Sequence, residues 1–261
     1  MRVALVQFAS ATDAAANRET VNGLLGGLAA EDELDLVVLP EASMCDFGSP
    51  QDDLAKVAET LDGPFVQLLA DNAKRLGATV IGGMFEATDD LPFNTLAVVG
   101  AGGTLTHTYR KIHLYDSFGY CESDRLSPGA IEPVVVEVAG HAVGLMTCYD
   151  LRFPELARAL IDAGAEALAI PAAWVQGEGK LDHWTTLLKA RAIENTVPVM
   201  ASAQCGPHYV GHSLVIDARG SRVDEAGIDA VILRADLDFA EVDRVRRENP
   251  SLANRRIRSA P

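Results

Sequence analysis

The chain has 261 residues, 48% of them hydrophobic, and its 22 Lys and Arg stand against 37 Asp and Glu for a formal net charge of -15. That length and apolar content allow one large α/β domain or two small ones with a self-sufficient core, and so acidic a surface repels phosphate backbones and anionic lipid, excluding nucleic acid and membrane surfaces as expected partners. The four cysteines, at 45, 121, 148 and 205, form no CxxC pair and no metal spacing, so neither a disulfide framework nor a metal site is expected.

In chain order, Met1 to Phe8 reads as a strand, not a secretory h-region, and no window approaches the ~20 apolar residues of a spanning helix. The expectation is a soluble cytoplasmic protein. Ala14 to Ala30 reads as a helix despite Gly26 and Gly27, and Leu36 to Leu39 as a buried strand ending at Pro40-Glu41, a β-α-β opening. Helical spacing over Gln51 to Leu76 stops near Gly77, with a break at Gly63-Pro64. Thr79 to Phe85 and Thr95 to Val99 are strands, and the turn Gly100-Ala101-Gly102-Gly103 makes the next pair a hairpin. Leu105 to Leu114 continues the sheet, and Tyr115 to Gly129 is a long polar loop of the kind that shapes sites. Val134 to Val138 turns at Gly140 into the run that carries Cys148. Beyond it come a helix from Pro154 to Gly164, a strand Ala167 to Ile170, and a helix Asp182 to Asn195 with Asp182 as N-cap. Val197 to Ala203, Ser213 to Asp217 and Val231 to Leu237 read as strands. The alternation argues for a layered α/β fold with mixed sheets. The arginine-rich segment 241–261 ends irregularly and packs on the body or on another subunit, or frays.

The chemistry concentrates between His141 and Leu156. Val143 to Met146 is an apolar run too short for a helix, Pro154 sits where a first helical turn tolerates its missing N–H, and Glu155 places an acid near the positive helix end. Cys148 therefore lies at the carboxyl end of a strand, where open α/β sheets carry ligands and where a tight strand-to-helix connection leaves backbone N–H groups free. Taken alone, such a cysteine is more often inert core. A thiol reacts as thiolate, so a working Cys148 needs a base or cation beside it, and Glu41, Lys111 and Glu122 lie at comparable strand ends. Glu41 is a candidate base if burial raises its pKa, or else a solvated loop carboxylate. Strand alternation does not decide whether Lys111 faces the site or is an exposed edge lysine.

Taken together, these residues resemble the nitrilase, or carbon–nitrogen hydrolase, superfamily. Leu39-Pro40-Glu41-Ala42 is similar to its glutamate motif, Tyr109-Arg110-Lys111-Ile112-His113-Leu114 to its lysine motif, and Cys148-Tyr149-Asp150-Leu151-Arg152-Phe153-Pro154-Glu155 to its cysteine motif, in the family's order and separations. Phe93-Asn94-Thr95, Pro171-Ala172-Ala173-Trp174, the run Lys189 to Asn195 and Gly211-His212-Ser213 also look like family segments, so the likeness spans nearly the whole chain. The resemblance implies a four-layer α-β-β-α sandwich with two mixed sheets, built as a single domain over 1–261. It implies Cys148 as nucleophile, Glu41 as general base, Lys111 as the cation beside the backbone N–H of Tyr149 at the oxyanion, and Glu122 as a second, orienting glutamate. No cofactor or metal is implied, and the family pairs sandwich to sandwich, so a homo-oligomer, a dimer or a multiple of dimers, is expected.

The segments Tyr149-Asp150-Leu151-Arg152-Phe153, Cys121-Glu122-Ser123 and Ala201 to Gly206 resemble the Nit branch, which holds deaminated glutathione amidase and omega-amidase. The resemblance thus implies a thiol amidase that converts a small carboxylate-bearing primary amide to acid and ammonia through a Cys thioester. The alternatives are a broader aliphatic amidase, an N-carbamoyl amidohydrolase or a nitrilase of the same fold, and, from a different class, an inactive scaffold subunit. Arg152 either anchors a substrate carboxylate or ties a loop to Glu155, and Trp174 either walls the pocket or is ordinary packing. Activation of the thiol leads to the expectation that Cys148 alkylates ahead of Cys45, Cys121 and Cys205.

Overall fold

The computed structural model describes residues 1–257, so the end of the arginine-rich tail, from Arg258, lies outside the described residues. In strand β1 (Arg2–Gln7) Val3 and Leu5 point to one side while Ala4 and Val6 point to the other, and all four are fully buried. A period-two strand can do this only when both faces of its sheet are covered. Helix α1 (Ala14–Gly26) starts where the Asp13 carboxylate caps the N–H groups of Ala15 and Ala16, and it ends at the Gly26-Gly27 pair, short of the expected Ala30. Strand β2 (Leu36–Val38) follows. Only Pro64 to Leu76 of the expected 51–76 stretch forms a long helix, α2 (Pro64–Leu76), with Pro64 in the first turn and a left-handed Gly77 at its end. Strands β3 (Thr79–Glu86), β4 (Phe93–Val99) and β5 (Leu105–Arg110) complete this half.

The loop expected over 115–129 holds a small hairpin, β6 (Asp116–Ser117) and β7 (Tyr120–Cys121). Strands β8 (Val135–Val138) and β9 (His141–Leu145) precede α3 (Pro154–Asp162), β10 (Ala167–Ala169), α4 (Lys180–Asn195), β11 (Val199–Ala201), β12 (Leu214–Ile216), β13 (Arg222–Glu225), β14 (Val231–Asp236) and α5 (Phe239–Glu248). The first sheet runs β14-β1-β2-β3-β4-β5 and the second β13-β12-β11-β10-β9-β8. Each is mixed, with a parallel centre (β1, β2, β3 in one; β9, β10, β11 in the other) and antiparallel flanks. Val3, Leu5, Val38, Ile81, Leu96 and Tyr109 meet the second sheet in one core, while Ala4, Val6, Val37, Val80 and Val99 pack with Val21, Leu25, Phe65 and Leu69 of α1 and α2 in another. With α3 and α4 against the second sheet, the result is the expected α-β-β-α sandwich.

Four local expectations change. β5 stops at Arg110, so Lys111 to Leu114 leave the sheet. Helix α4 begins at Lys180 behind a left-handed Gly179, which puts Asp182 inside the first turn and not at the cap. β13 lacks an apolar run to announce it, since its Arg222, Val223 and Asp224 are exposed. The arginine-rich segment from Glu241, expected to pack on the body or a partner or to fray, holds most of α5, whose Val242 and Val245 bury against Ala218, while Arg219 pairs with Glu241 and Glu248 and Arg255 pairs with Asp162. The described part of the tail therefore packs on the body. Among the described residues, no helix is long and apolar enough to cross a membrane.

Candidate active site

The carboxyl ends of the parallel strands of both sheets converge on one cavity of about 1080 Å³, lined by Glu41, Lys111, Glu122 and Cys148. Cys148 follows β9 by three residues and opens a 3-10 turn (Cys148–Arg152) that leads to Pro154 and α3. Its φ is +47°, a left-handed conformation that a non-glycine residue adopts only when its surroundings impose it. The N–H of Cys148 donates to Pro171 at 2.9 Å, which fixes the bend. Tyr149 is second in the turn, so its N–H has no acceptor three residues back within that turn.

Glu41 arrives through Leu39 and Pro40 from β2, and its loop crosses β3 so closely that a Cβ on Gly83 would lie 2.7 Å from the Pro40 carbonyl and 2.8 Å from Glu41 Cα. Only glycine leaves room there. Lys111 steps off β5 with its N–H on the Asn94 carbonyl at 2.8 Å, which turns its side chain inward and answers the question strand alternation left open. Its Nζ donates to Glu41 Oε1 at 2.9 Å and to the two Glu122 oxygens at 2.8 and 3.1 Å. Asn94 Nδ2 bridges the same carboxylates, donating to Glu41 at 2.8 Å and to Glu122 at 3.1 Å. Glu41 Oε2 accepts the N–H of Ala173 at 2.7 Å, and Glu122 Oε2 accepts that of Tyr115 at 2.6 Å.

All of this is buried, with Lys111 only 2% exposed. Burial alone would lower the Lys111 ammonium, but the Glu122 and Glu41 carboxylates outweigh it and hold its pKa well above the ordinary lysine range. The Cys148 thiol is pushed well above its ordinary value, first by burial and then by the facing Glu41 charge, against which Lys111 is the smaller effect. The resting thiol therefore keeps its proton at neutral pH. Activation must come from a proton acceptor acting during attack, and Glu41 is the carboxylate that faces the sulfur.

Arg152 also lines the cavity. It lies over the Trp174 ring at 4.8 Å, approaches His183 at 3.4 Å, and among the described residues forms no ion pair, with Glu155 or any other acid. Trp174 fills both roles considered for it, since it lines the cavity and packs at 5.4 Å against the buried Trp184. The other cysteines are free; Cys45 and Cys205 are buried and Cys121 is exposed. Several site residues carried no assigned role in the sequence reading: Asn94, the hydrogen-bond partners of Asp150, and Lys180 with Tyr115 and Phe118. Asn94 was visible only as part of a family-like segment, whereas Lys180 sits in no charged pattern that would single it out.

Comparison with known proteins agrees with this geometry. Residues 2–247 match the carbon-nitrogen hydrolase family profile. A hydrolase of Mycobacterium tuberculosis is 42% identical over 93% of this chain and 91% of its own, and the deaminated glutathione amidase of Escherichia coli O157:H7 is 39% identical over 98% of each. The crystal structure of Saccharomyces cerevisiae Nit3, a member of branch 10 of the nitrilase superfamily, aligns with a TM-score of 0.88 and 32% identity, covering 98% of this chain and 97% of that one. The sandwich and the Nit branch expected from the motifs are both borne out. A full-length match, the shared fold and a buried thiol facing a lysine-bridged pair of glutamates lead to one assignment: the chain belongs to the carbon-nitrogen hydrolase family.

Proposed function

We propose that this protein is a thiol amidase that hydrolyses the C–N bond of a small carboxylate-bearing amide through a thioester on Cys148. The observation that carries the reading is the facing of Cys148 and Glu41 in a buried cluster whose second glutamate, Glu122, is bridged to the first by Lys111. Glu41 takes the Sγ proton as sulfur attacks the amide carbonyl. The oxyanion that forms is stabilised by the Lys111 charge and the N–H of Tyr149, and Glu122 orients the ammonium. Collapse breaks the C–N bond, and the nitrogen leaves with the proton held by Glu41, as ammonia from a primary amide or as an amine from a substituted one. Water then gives a proton to Glu41 and its oxygen to the thioester carbonyl; the acid departs and Cys148 regains its proton. No step calls for a cofactor.

Arg152 supports the carboxylate preference. Its buried Nε has no partner among the described residues, so a planar guanidinium stands ready at the cavity wall of an otherwise acidic chain. The relative named deaminated glutathione amidase points the same way. At about 1080 Å³ the cavity lies just above the roughly 300–1,000 Å³ usual for small-molecule sites, so it has room for more than a minimal primary amide. An inactive scaffold has no use for a complete glutamate, lysine and cysteine set. A panel of carboxylate-bearing amides, neutral amides, nitriles and N-carbamoyl compounds, read by amine or ammonia release, tests the proposal. Turnover of carboxylate-bearing amides that is lost in Cys148→Ala is expected; faster turnover of neutral amides or nitriles than of every carboxylate-bearing amide would replace it with a general aliphatic amidase or nitrilase.

The same reading takes residues 1–261 as one catalytic unit working in the cytoplasm as a homodimer or a multiple of dimers. Exposed apolar side chains on α4, Leu181 and Ile193, support association. The arginine-rich tail lends less than expected, because Arg244 already pairs with Asp238 and Glu241 inside the chain. Sedimentation at micromolar concentration is expected to give at least a dimer, and a monomer would remove the claim.

A further inference from the structure

The base and the thiol come from different sheets. Glu41 follows β2 of the first sheet and Cys148 follows β9 of the second, so the spacing between carboxylate and sulfur depends on contacts that cross from one sheet to the other. Three consecutive residues beyond β10 make that crossing. The Pro171 carbonyl accepts the Cys148 N–H at 2.9 Å, the Ala172 carbonyl accepts the Gln204 N–H at 2.8 Å, and the Ala173 N–H donates to Glu41 Oε2 at 2.7 Å. The Ala172 carbonyl and the Ala173 N–H belong to one peptide group, so the bond from Gln204 polarises the group that holds the base.

Gln204, just beyond β11 and fully buried, reaches the base a second way through its side chain. Its Nε2 donates to the Glu41 carbonyl at 3.0 Å, to the Ala42 carbonyl at 3.2 Å and to the Ser10 hydroxyl at 2.6 Å, while its Oε1 accepts the Ser10 N–H at 2.9 Å. The Ser10 hydroxyl in turn donates to the Ala42 carbonyl at 2.9 Å. Ala42 needs such a hold. Its φ is +56°, a left-handed conformation in a residue with a Cβ, and the chain there is already pressed against Gly83. A glutamine amide, with donors and an acceptor at one end, meets all of these groups, and a hydrocarbon of similar length meets none.

We propose that Gln204 is a positioning residue for the reaction, one that sets the spacing between the Glu41 carboxylate and the Cys148 sulfur across the two sheets. This rests on the amidase reading, with Glu41 as the base. Gln204 is not among the described residues that line the cavity, so it acts through Glu41 and not on substrate. A base displaced by about 1 Å can cost roughly 100-fold in rate, whereas the wall that binds substrate is untouched. The effect of Gln204 therefore falls on kcat and not on KM.

The test is a mutant cycle read in steady-state kinetics, together with the amide signal of Ala173 in NMR. Gln204→Met keeps the length and removes the donors and the acceptor; on the best amide of the panel it is expected to lower kcat about 10- to 100-fold with KM nearly unchanged. In a Glu41→Gln background the same substitution should cost less than about 2-fold, because a residue that acts through the base has nothing left to position. The Ala173 N–H, which reports its bond to Glu41, should move upfield in Gln204→Met, while that of Ala172, bonded to the Ser202 carbonyl at 2.8 Å, stays in place. Should Gln204→Met not fold, Ser10→Ala decides, since it removes only the hydroxyl shared by Gln204 and Ala42; there a loss of roughly 2- to 10-fold in kcat, masked by Glu41→Gln, is expected. Equal losses with and without Glu41, wild-type kcat in the variant that folds, or an unmoved Ala173 signal overturns the role of Gln204 and leaves the amidase standing. A shifted Ala173 signal in a protein that hydrolyses no amide of the panel would uphold the positioning and sink the amidase reading instead.

Discussion

The Tyr109 hydroxyl donates to Asp150 Oδ2 at 2.5 Å, a bond that ties the strand leading to Lys111 to the turn that begins at Cys148. Asp150 holds the other flank of Lys111 as well, because Oδ1 accepts the His113 N–H at 3.1 Å and meets His113 Nδ1 at 2.7 Å, while Oδ2 also takes the N–H of Thr147 at 2.9 Å. Residues two before and two after the lysine are thus clamped by a carboxylate two after the cysteine. Asp150→Asn keeps the shape but turns an N–H₂ toward a cluster of donors. It is expected to cost about 1–3 kcal/mol of stability and to lower kcat through a displaced Lys111, whereas wild-type melting and turnover in the Asn variant would show that the clamp is idle.

The thiol's raised pKa changes the labelling order expected from sequence. Burial, followed by Glu41, keeps Cys148 protonated, and burial with Asp46 nearby pushes Cys45 up to about 11; Cys121 alone is exposed. A maleimide small enough to enter the cavity should therefore modify the exposed Cys121 first at neutral pH, with Cys148 behind it, as mass spectrometry of peptides can read. Prior modification of Cys148 by such a reagent would mean that a resting thiolate exists. Glu41→Gln should lower turnover roughly 10²- to 10⁴-fold, the usual range for loss of a general base.

What the sequence made legible followed from local rules. Periodicity gave most of the strands and helices of a layered α/β fold, while the sandwich itself came from the family resemblance; the strand-end positions of Glu41 and Cys148 could be read because an apolar run, a proline and an acid sit in order. Alternation alone could not place Lys111, which only the family resemblance put at the site, because its inward turn depends on a bond from its N–H to Asn94, which no alternation rule contains. Lys180 was invisible for a similar reason: its partners, Tyr115 and Phe118, are more than sixty residues away in sequence. Asp150 stood in the sequence only as a member of the cysteine motif, and only the tertiary fold brings Tyr109 and His113 to it.

The alkaline behaviour follows from two pKa values raised in the fold. For Cys148 and Lys111 the folded chain holds a proton that the unfolded chain releases at lower pH, from ordinary values of 9.0 and 10.5. Each contribution is complete below the unfolded value and is lost as pH rises toward the folded one, so stability should decline above about pH 9. The urea midpoint should fall from about pH 9 upward, less steeply in Cys148→Ala. A midpoint that rises over this window would reverse the sign. Neither group should produce an alkaline limb in kcat/KM below about pH 9.

Lys111→Arg is expected to be nearly as damaging as Lys111→Ala. The ammonium fits as a compact charge between Glu41 and Glu122 at 2.9 and 2.8 Å, in a space closed by Asn94, and a wider planar guanidinium holds its charge further from the oxyanion. Breaking a buried ion pair from one side also costs about 3–5 kcal/mol, so the Ala variant should melt well below wild type. If the Arg variant kept most of the activity, the lysine would act as a diffuse field and not as a placed donor.

Arg152 provides the test that separates a carboxylate-recognising amidase from a general one. Its guanidinium stacks on Trp174 and has a buried, unsatisfied Nε, so it is held by ring contact and not by a protein acid. Removing it takes away an anion partner and leaves no protein carboxylate stranded. Arg152→Ala is therefore expected to weaken carboxylate-bearing amides by about 10- to 100-fold in kcat/KM, mainly through KM, with a much smaller loss on neutral amides of matched size. The loss of stacking on Trp174 affects both classes alike, so the difference between them, not the absolute rate, carries the information. Equal losses on both classes would make Arg152 a packing residue, and the carboxylate would have to be recognised elsewhere on the wall.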